Sequence, residues 1–255
     1  MKKASILLFL FFYIASCSIN QEECDCPDKT NSNPVSVEFP SLDGLSISAN
    51  LYHVNEDSAT IILCHQARFN KIEYSGIAKK LRTKGYNCLA IDQRSGGDAM
   101  DVYNETYRRA MADSLPVGFL DAEKDIVAAV EYAKTNYNGK IILWGSSYSS
   151  SLVLKVARSM ETVDAVLSFS PGKYFGPTYS LMDSISGLQI PCFVTSSRAE
   201  SNPALDSLLS GIPSENLTRF TPVNAGLHGS RALWEAHPGN AEYWDAVNEF
   251  LKELN

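Results

Sequence analysis

Hydrophobic residues follow two regimes along this chain. Residues 35–39 and 45–53 alternate apolar and polar positions, as half-buried strands do, and Asp43-Gly44 between them is a hairpin signal. From residue 59 onward the strand-like segments are continuous apolar runs, at 59–64, 86–92, 141–145, 163–169, 190–196 and 217–223. Runs of that kind suit strands buried on both faces. Helical spacing fills the gaps, over 72–81 (closed by Gly85), 119–137, 151–160, 203–209 and 242–254. In the longest of these, Ile126, Val127, Val130 and Ala133 share one face. A hairpin followed by repeated strand–helix alternation predicts an α/β fold, a mostly parallel eight-stranded sheet with helices on both faces. In such sheets ligands gather at the carboxyl ends of the strands.

One of those strand ends carries a chemical signal. The run Ile141-Ile142-Leu143-Trp144 meets Gly145-Ser146-Ser147-Tyr148-Ser149 and then a helix. Strand, tight turn, serine, helix is the setting in which a G-x-S-x-G pattern exposes a nucleophilic hydroxyl above the sheet. Ser149 stands where the pattern has its second glycine. Serine at a strand-to-helix junction also serves as a helix cap, so the motif alone leaves both readings open. A serine nucleophile needs a base, and the base needs a carboxylate to orient it. Of the four histidines, His53 ends an early edge strand, His237 precedes the last helix and His65 directly follows the 59–64 strand. His228 follows the final strand. For the acid, Glu200, just past the 190–196 strand, ranks ahead of Asp183 and Asp206.

The sheet pattern, Gly145-Ser146-Ser147-Tyr148-Ser149, Glu200 and His228-Gly229 together resemble the α/β-hydrolases, nearest the dienelactone-hydrolase-like and small serine esterase branches, over residues 35–254. The order Ser, acid, His is that of this superfamily. The resemblance implies Ser147 as nucleophile, His228 as base and Glu200 as the orienting acid, in chemistry that requires no metal and no cofactor. It also implies an oxyanion hole built from two backbone amides, Ala67 and Tyr148. The family's turn after the third strand is rich in His and Gly; here it reads His65-Gln66-Ala67-Arg68, keeping the histidine and losing the glycines. A dienelactone hydrolase proper would carry a cysteine nucleophile.

Arg68, Arg94 and Arg198 each fall just past a predicted strand. A guanidinium fork suits carboxylate or phosphate recognition, so these three, with His65, are expected to bind substrate, a small-molecule ester with an anionic group. The bland alternative pairs Arg94 with Asp92 or Asp98, and Arg198 with Glu200. Residues 95–118, with Tyr103, Tyr107, Arg108, Arg109 and Met111, form an insertion that reads either as a lid or as a helix packed for stability.

Residues 1–16 read as a signal peptide, with Lys2 and Lys3 ahead of an apolar run too short to span a bilayer. Ile14-Ala15-Ser16-Cys17 resembles a bacterial lipobox, which makes Cys17 the expected lipid anchor. Ser18 rather than an acidic residue follows it, pointing to the outer membrane or its periplasmic face. Residues 17–34 are polar and aperiodic, as a flexible tether is, and 35–255 form one domain. Cys64, Cys88 and Cys192 lie inside apolar runs and are expected in the core. The formal charge of −7, with no basic block, excludes nucleic acid as a partner, and leaves the lipid as the membrane contact. Two further function classes stay open on this sequence, a serine peptidase or amidase using the same residues and a catalytically silent surface binding protein.

Overall fold

The computed structural model describes residues 33–254, so the expected signal peptide, Cys17 and nearly all of the tether lie outside the described residues. The elements run, in chain order, β1 (Val35–Pro40), β2 (Ser46–Tyr52), β3 (Thr60–Cys64), α1 (Ser75–Arg82), β4 (Asn87–Ile91), α2 (Glu105–Ala112), α3 (Glu123–Asn136), β5 (Ile141–Ser146), α4 (Tyr148–Ser159), β6 (Ala165–Phe169), α5 (Leu181–Ser184), β7 (Cys192–Thr195), α6 (Pro203–Leu209), β8 (Leu217–Phe220) and α7 (Asn240–Glu253). Short 3₁₀ turns at Lys71–Tyr74 and Ser230–Leu233 lead into α1 and follow β8.

The eight strands form one sheet in the order β1-β2-β4-β3-β5-β6-β7-β8. The β1–β2 and β2–β4 pairings are antiparallel and every other pairing is parallel. The switch from alternating to continuous apolar sequence follows from this layout. β1 lies at the edge with mostly exposed positions, while every residue of β3, β4, β5 and β6 is buried. Two apolar cores cover the two faces of the sheet. One collects Ile62, Leu143 and Val166 with α3 and α4, and the other collects Ile61, Leu63 and Trp144 with α1 and α7. Burial of side chains such as these, at about 1.5–3 kcal/mol each, fixes the strand order. It brings the ends of β5, β6 and β7, and the loop after β8, to one edge.

Three differences from the sequence expectation have local causes. Helix α4 begins at Tyr148, directly after Ser147, because the turn at Ser147 is complete within one residue. The segment expected to start a helix at Phe119 is irregular until Glu123, since Phe119 turns aside to stack on Tyr148 at 4.3 Å. The insertion holds α2, which lies on β2: Ser48 N–H donates to Thr106 Oγ1 at 3.0 Å, and Arg109 Nη1 donates to Ser48 Oγ at 2.8 Å. Lys71 pairs with Glu105 at 3.0 Å at the start of that helix. These bonds hold α2 against the antiparallel edge of the sheet, and Leu115, Val117 and Phe119 beyond it pack against the core.

Candidate active site

Ser147 sits on a backbone that only a tight turn produces. Its φ of 58° and ψ of −126° lie in the positive-φ half of conformational space, costly for a residue with a Cβ. Its N–H donates to the Phe169 carbonyl at 2.9 Å, anchoring the turn to the end of β6. Gly145 makes the turn feasible: a Cβ there would stand 2.4 Å from the Ser149 carbonyl oxygen and 2.6 Å from Ser150 Cα, both backbone of α4. The close strand-to-helix approach therefore falls on the first glycine of the motif. Ser149, in place of the second, fits because its hydroxyl has an acceptor. It lies 2.5 Å from the His65 carbonyl and 3.0 Å from Gln93 Oε1.

The three side chains singled out as nucleophile, base and acid come together. Ser147 Oγ donates to His228 Nε2 at 2.8 Å, and His228 Nδ1–H donates to Glu200 Oε1 at 2.5 Å. Glu200 Oε2 accepts from Ser170 Oγ at 2.9 Å, from the Ser197 N–H at 3.0 Å and from Ser197 Oγ at 2.8 Å. Partial burial pushes the pKa of this carboxyl up, but the bonds from His228 and Ser197 outweigh it and hold the pKa at about 2. Such an arrangement can take the proton from Ser147 onto the imidazole and hold the resulting cation against a carboxylate. Asp183 is exposed on α5, and Asp206 pairs with Arg219 at 3.0 Å; neither bonds to His228.

Ser170 is a site residue that sequence reasoning missed. It follows β6 with a φ of 62°, holds Glu200 through its hydroxyl, and accepts the Gly229 N–H at 3.0 Å. It thus ties the acid to the histidine loop. Its signal was faint, a serine before Pro171-Gly172 at a strand end. Tyr174 was missed as well. Its hydroxyl donates to the Ser170 carbonyl at 2.8 Å and touches the Ser147 side chain, while burial raises its pKa. The glycine after His228 is required, since a Cβ on Gly229 (φ 71°) would lie 2.5 Å from Ser146 Oγ.

The loop after β3 reaches the same edge through the Ser149–His65 bond. As the first residue of α4, Tyr148 has no intrahelical acceptor for its N–H. The Ala67 N–H makes no hydrogen bond among the described residues.

Two expected substrate-binding residues are corrected here. His65 is fully buried, with Nδ1–H donating to the Gln66 carbonyl at 2.8 Å and Nε2 accepting the Gln93 N–H at 2.9 Å. Burial lowers its pKa, so it is a neutral brace for the loop with no surface for a ligand. Arg94 is fully buried too. It pairs with Asp43 at 2.6 Å and Asp125 at 2.8 Å, joining the β1–β2 turn to α3, rather than with Asp92 or Asp98. Asp92 pairs with Lys71, and Asp98 with Arg108. Arg198 does not pair with Glu200. Its side chain, on an exposed residue, is tied to the carbonyls of Val223 and Pro222, and its N–H donates to the Ala225 carbonyl at 2.9 Å. Arg68 is exposed, has a φ of 61°, and makes no hydrogen bond or ion pair among the described residues. Of the three arginines it alone keeps its guanidinium free.

The overall architecture matches solved hydrolases over nearly the whole of their chains. The esterase Pf2001 of Pyrococcus furiosus superposes with a TM-score of 0.65 at 17% identity, over 86% of this chain and 91% of that one. Est1E from Butyrivibrio proteoclasticus, solved with ferulic acid, gives 0.65 at 16% identity over 86% and 98%. Dienelactone hydrolase from Anabaena variabilis gives 0.63 at 14% over 87% and 98%. This chain has the α/β-hydrolase fold. At the level of sequence, it is 27% identical over 147 residues to the quorum-quenching protein AidA of Acinetobacter baumannii, a match covering 54% of this chain and 44% of AidA. The aligned region thus spans less than half of that relative's length. No family model matches the chain.

Proposed function

We propose that this protein is a serine hydrolase that cleaves carboxylic esters through an acyl-enzyme intermediate. The observation that carries this reading is the unbroken line from Ser147 Oγ through His228 to Glu200 at the carboxyl edge of a parallel sheet. Ser147 attacks the ester carbonyl while its proton passes to His228 Nε2, and the ionised Glu200 stabilises the imidazolium. The oxyanion is held by the Ala67 and Tyr148 amides. His228 returns the proton to the departing alcohol. It then draws one from a water that attacks the acyl carbonyl, releasing the acid and restoring Ser147. Support for esters over peptides comes from the esterases that share the fold. Arg68, unpaired at the loop beside the nucleophile, is the residue we assign to an anionic substrate group.

In the same reading the chain is exported and held at a bacterial membrane by a lipid on Cys17. Labelling with a fatty-acid analogue, lost in Cys17→Ala, is the expected result, and labelling that survives the change rejects the anchor.

A fluorophosphonate probe tests the mechanism. The reading requires stoichiometric labelling of the wild type and none of Ser147→Ala, with hydrolysis of p-nitrophenyl butyrate abolished in the same variant. Unchanged turnover by a folded Ser147→Ala protein rules the mechanism out, and a wild type that resists the probe leaves a silent binding protein as the better description. Matched ester and amide substrates separate esterase from peptidase.

A further inference from the structure

Behind Ser147, on the side away from solvent, lies a carboxylate that the reaction above does not use. Glu73, on the 3₁₀ turn Lys71–Tyr74, is 1% exposed. One of its oxygens accepts the Gln66 N–H at 2.7 Å, and the other accepts the Ser146 hydroxyl at 2.7 Å. Ser146 Oγ in turn accepts the Ser230 N–H at 2.9 Å. A single carboxyl thereby joins three segments: the loop that carries Ala67, the strand end that carries Ser147, and the loop that carries His228. The main chain of the same residue is fixed as well, its carbonyl accepting Trp234 Nε1 at 2.9 Å.

No ion pair among the described residues involves Glu73. A buried carboxylate without a paired cation is costly to keep, and burial pushes its pKa up to about 7. The ionisable groups facing it are His228 and Arg231 from the histidine loop and Tyr74 on its own turn. What the carboxylate provides that an amide or an apolar side chain cannot is two acceptors at once. Protonated, or replaced by Gln, it keeps one acceptor for the Gln66 N–H and turns a donor toward Ser146. The hydroxyl of Ser146 must then give up its own bond to Glu73 and turn its proton elsewhere, beside a nucleophile turn that Gly229 already crowds.

We propose that Glu73 is a positioning residue of this site, setting the spacing between the Ala67 amide, the Ser147 turn and the His228 loop through its simultaneous bonds to Gln66 N–H and Ser146 Oγ. It rests on the hydrolase reading and adds a residue to it. The role is geometric: Glu73 touches neither the ester nor the reacting atoms. Displacement of a reacting group by a fraction of an ångström is felt in the chemical step more than in binding.

The test uses the full chain and compares wild type, Glu73→Gln, Ser146→Ala and the double variant on p-nitrophenyl butyrate, with thermal melting of each. Misplacement of the amide and the nucleophile turn lowers kcat by about ten- to a hundred-fold while KM moves by no more than about two-fold. Both single changes break one link, so the double variant falls no further than the worse single. Protonation of Glu73, whose pKa burial pushes up to about 7, adds its own loss of kcat as pH falls. Glu73→Gln lacks that contribution to the pH profile, a change that a merely structural role would not produce. Wild-type kcat in both single variants, or losses that add in the double variant, overturns the proposal while fluorophosphonate labelling of Ser147 leaves the hydrolase reading intact. If Glu73→Gln does not fold, Ser146→Ala decides alone, by the presence or absence of the kcat loss at unchanged KM. If the wild type neither labels nor turns over, the hydrolase reading fails and this proposal falls with it.

Discussion

Replacing Glu200 by glutamine tests the proton path with a change of one atom. In the wild type Oε1 faces the His228 Nδ1–H, and Oε2 accepts from Ser170 Oγ, the Ser197 N–H and Ser197 Oγ. A glutamine must choose which side its amide nitrogen takes. Placed against the serines, the nitrogen meets three donors. Hydrogen bonds to a charged group contribute about 1.5–3 kcal/mol each and neutral ones about half of that, so this orientation forfeits several kcal/mol. Placed against His228, the nitrogen disturbs one bond only. The amide therefore donates to Nδ1 and drives the imidazole proton onto Nε2, and Ser147 loses its acceptor. In a serine protease triad the equivalent tautomer error costs about 10⁴ in kcat, which is about 5.4 kcal/mol of transition-state free energy at 1.36 kcal/mol per decade. We expect a loss of that order on p-nitrophenyl butyrate, with a slow fluorophosphonate reaction and a cooperative melt, because the half-exposed side chain is isosteric. A folded Glu200→Gln protein within ten-fold of wild type would show that the serines do not orient the amide as argued, or that Glu200 does not set the tautomer.

Gly145→Ala places a methyl 2.4 Å from the Ser149 carbonyl, so strand and helix must part; we expect about 1–3 kcal/mol or more of lost stability by denaturant melting, and a native-like midpoint would contradict the packing described. Arg94→Met strands Asp43 and Asp125, costing about 3–5 kcal/mol, and lowers kcat/KM on acidic and neutral esters by the same factor. Arg68→Met, in contrast, should weaken an acidic ester about ten- to a hundred-fold and spare its neutral analogue; equal losses on both would remove Arg68 from substrate binding. The Glu200 carboxyl, held at about 2 against an ordinary value of 4.5, favours the folded state above pH 4.5 and loses that contribution as pH falls toward 2. With its side chain 37% exposed, the contribution is reduced by solvent, and the check is whether the melting gap between wild type and Glu200→Gln narrows below pH 4.5.

Much of the fold was legible because burial in a parallel sheet leaves a direct trace. Runs such as Ile61-Ile62-Leu63 cannot sit at a surface, and the change of pattern at residue 59 marks where the antiparallel hairpin gives way to the parallel core. Ser147, Glu200 and His228 could be picked out because each follows a strand, and parallel strands point their carboxyl ends the same way. What sequence position cannot reveal is where a long side chain turns. Arg68, Arg94 and Arg198 look equivalent along the chain. One ends in a buried pair with Asp43 and Asp125, whose partners are 51 and 31 residues away, one is tied to local carbonyls, and one is free. The irregular stretches behaved similarly: 95–118 had helical and aromatic content, but its attachment to β2 depends on Ser48 and Thr106, polar residues with no pattern to announce them.

The departures from the hydrolase motif have the same explanation. A glycine at position 149 would remove the hydroxyl that holds the His65 carbonyl, and His65-Gln66-Ala67-Arg68 has no glycines to shape its own turn. The structure substitutes side-chain bonds for the missing flexibility: the His65 ring braces its own loop, Ser149 grips it from α4, and Glu73 fixes it from below. The two departures compensate for one another. Serine is tolerated at 149 because the loop after β3 offers a carbonyl, and that loop keeps its course without glycine because serine and Glu73 hold it. A motif compared position by position registers two losses where the folded chain has one rebuilt joint.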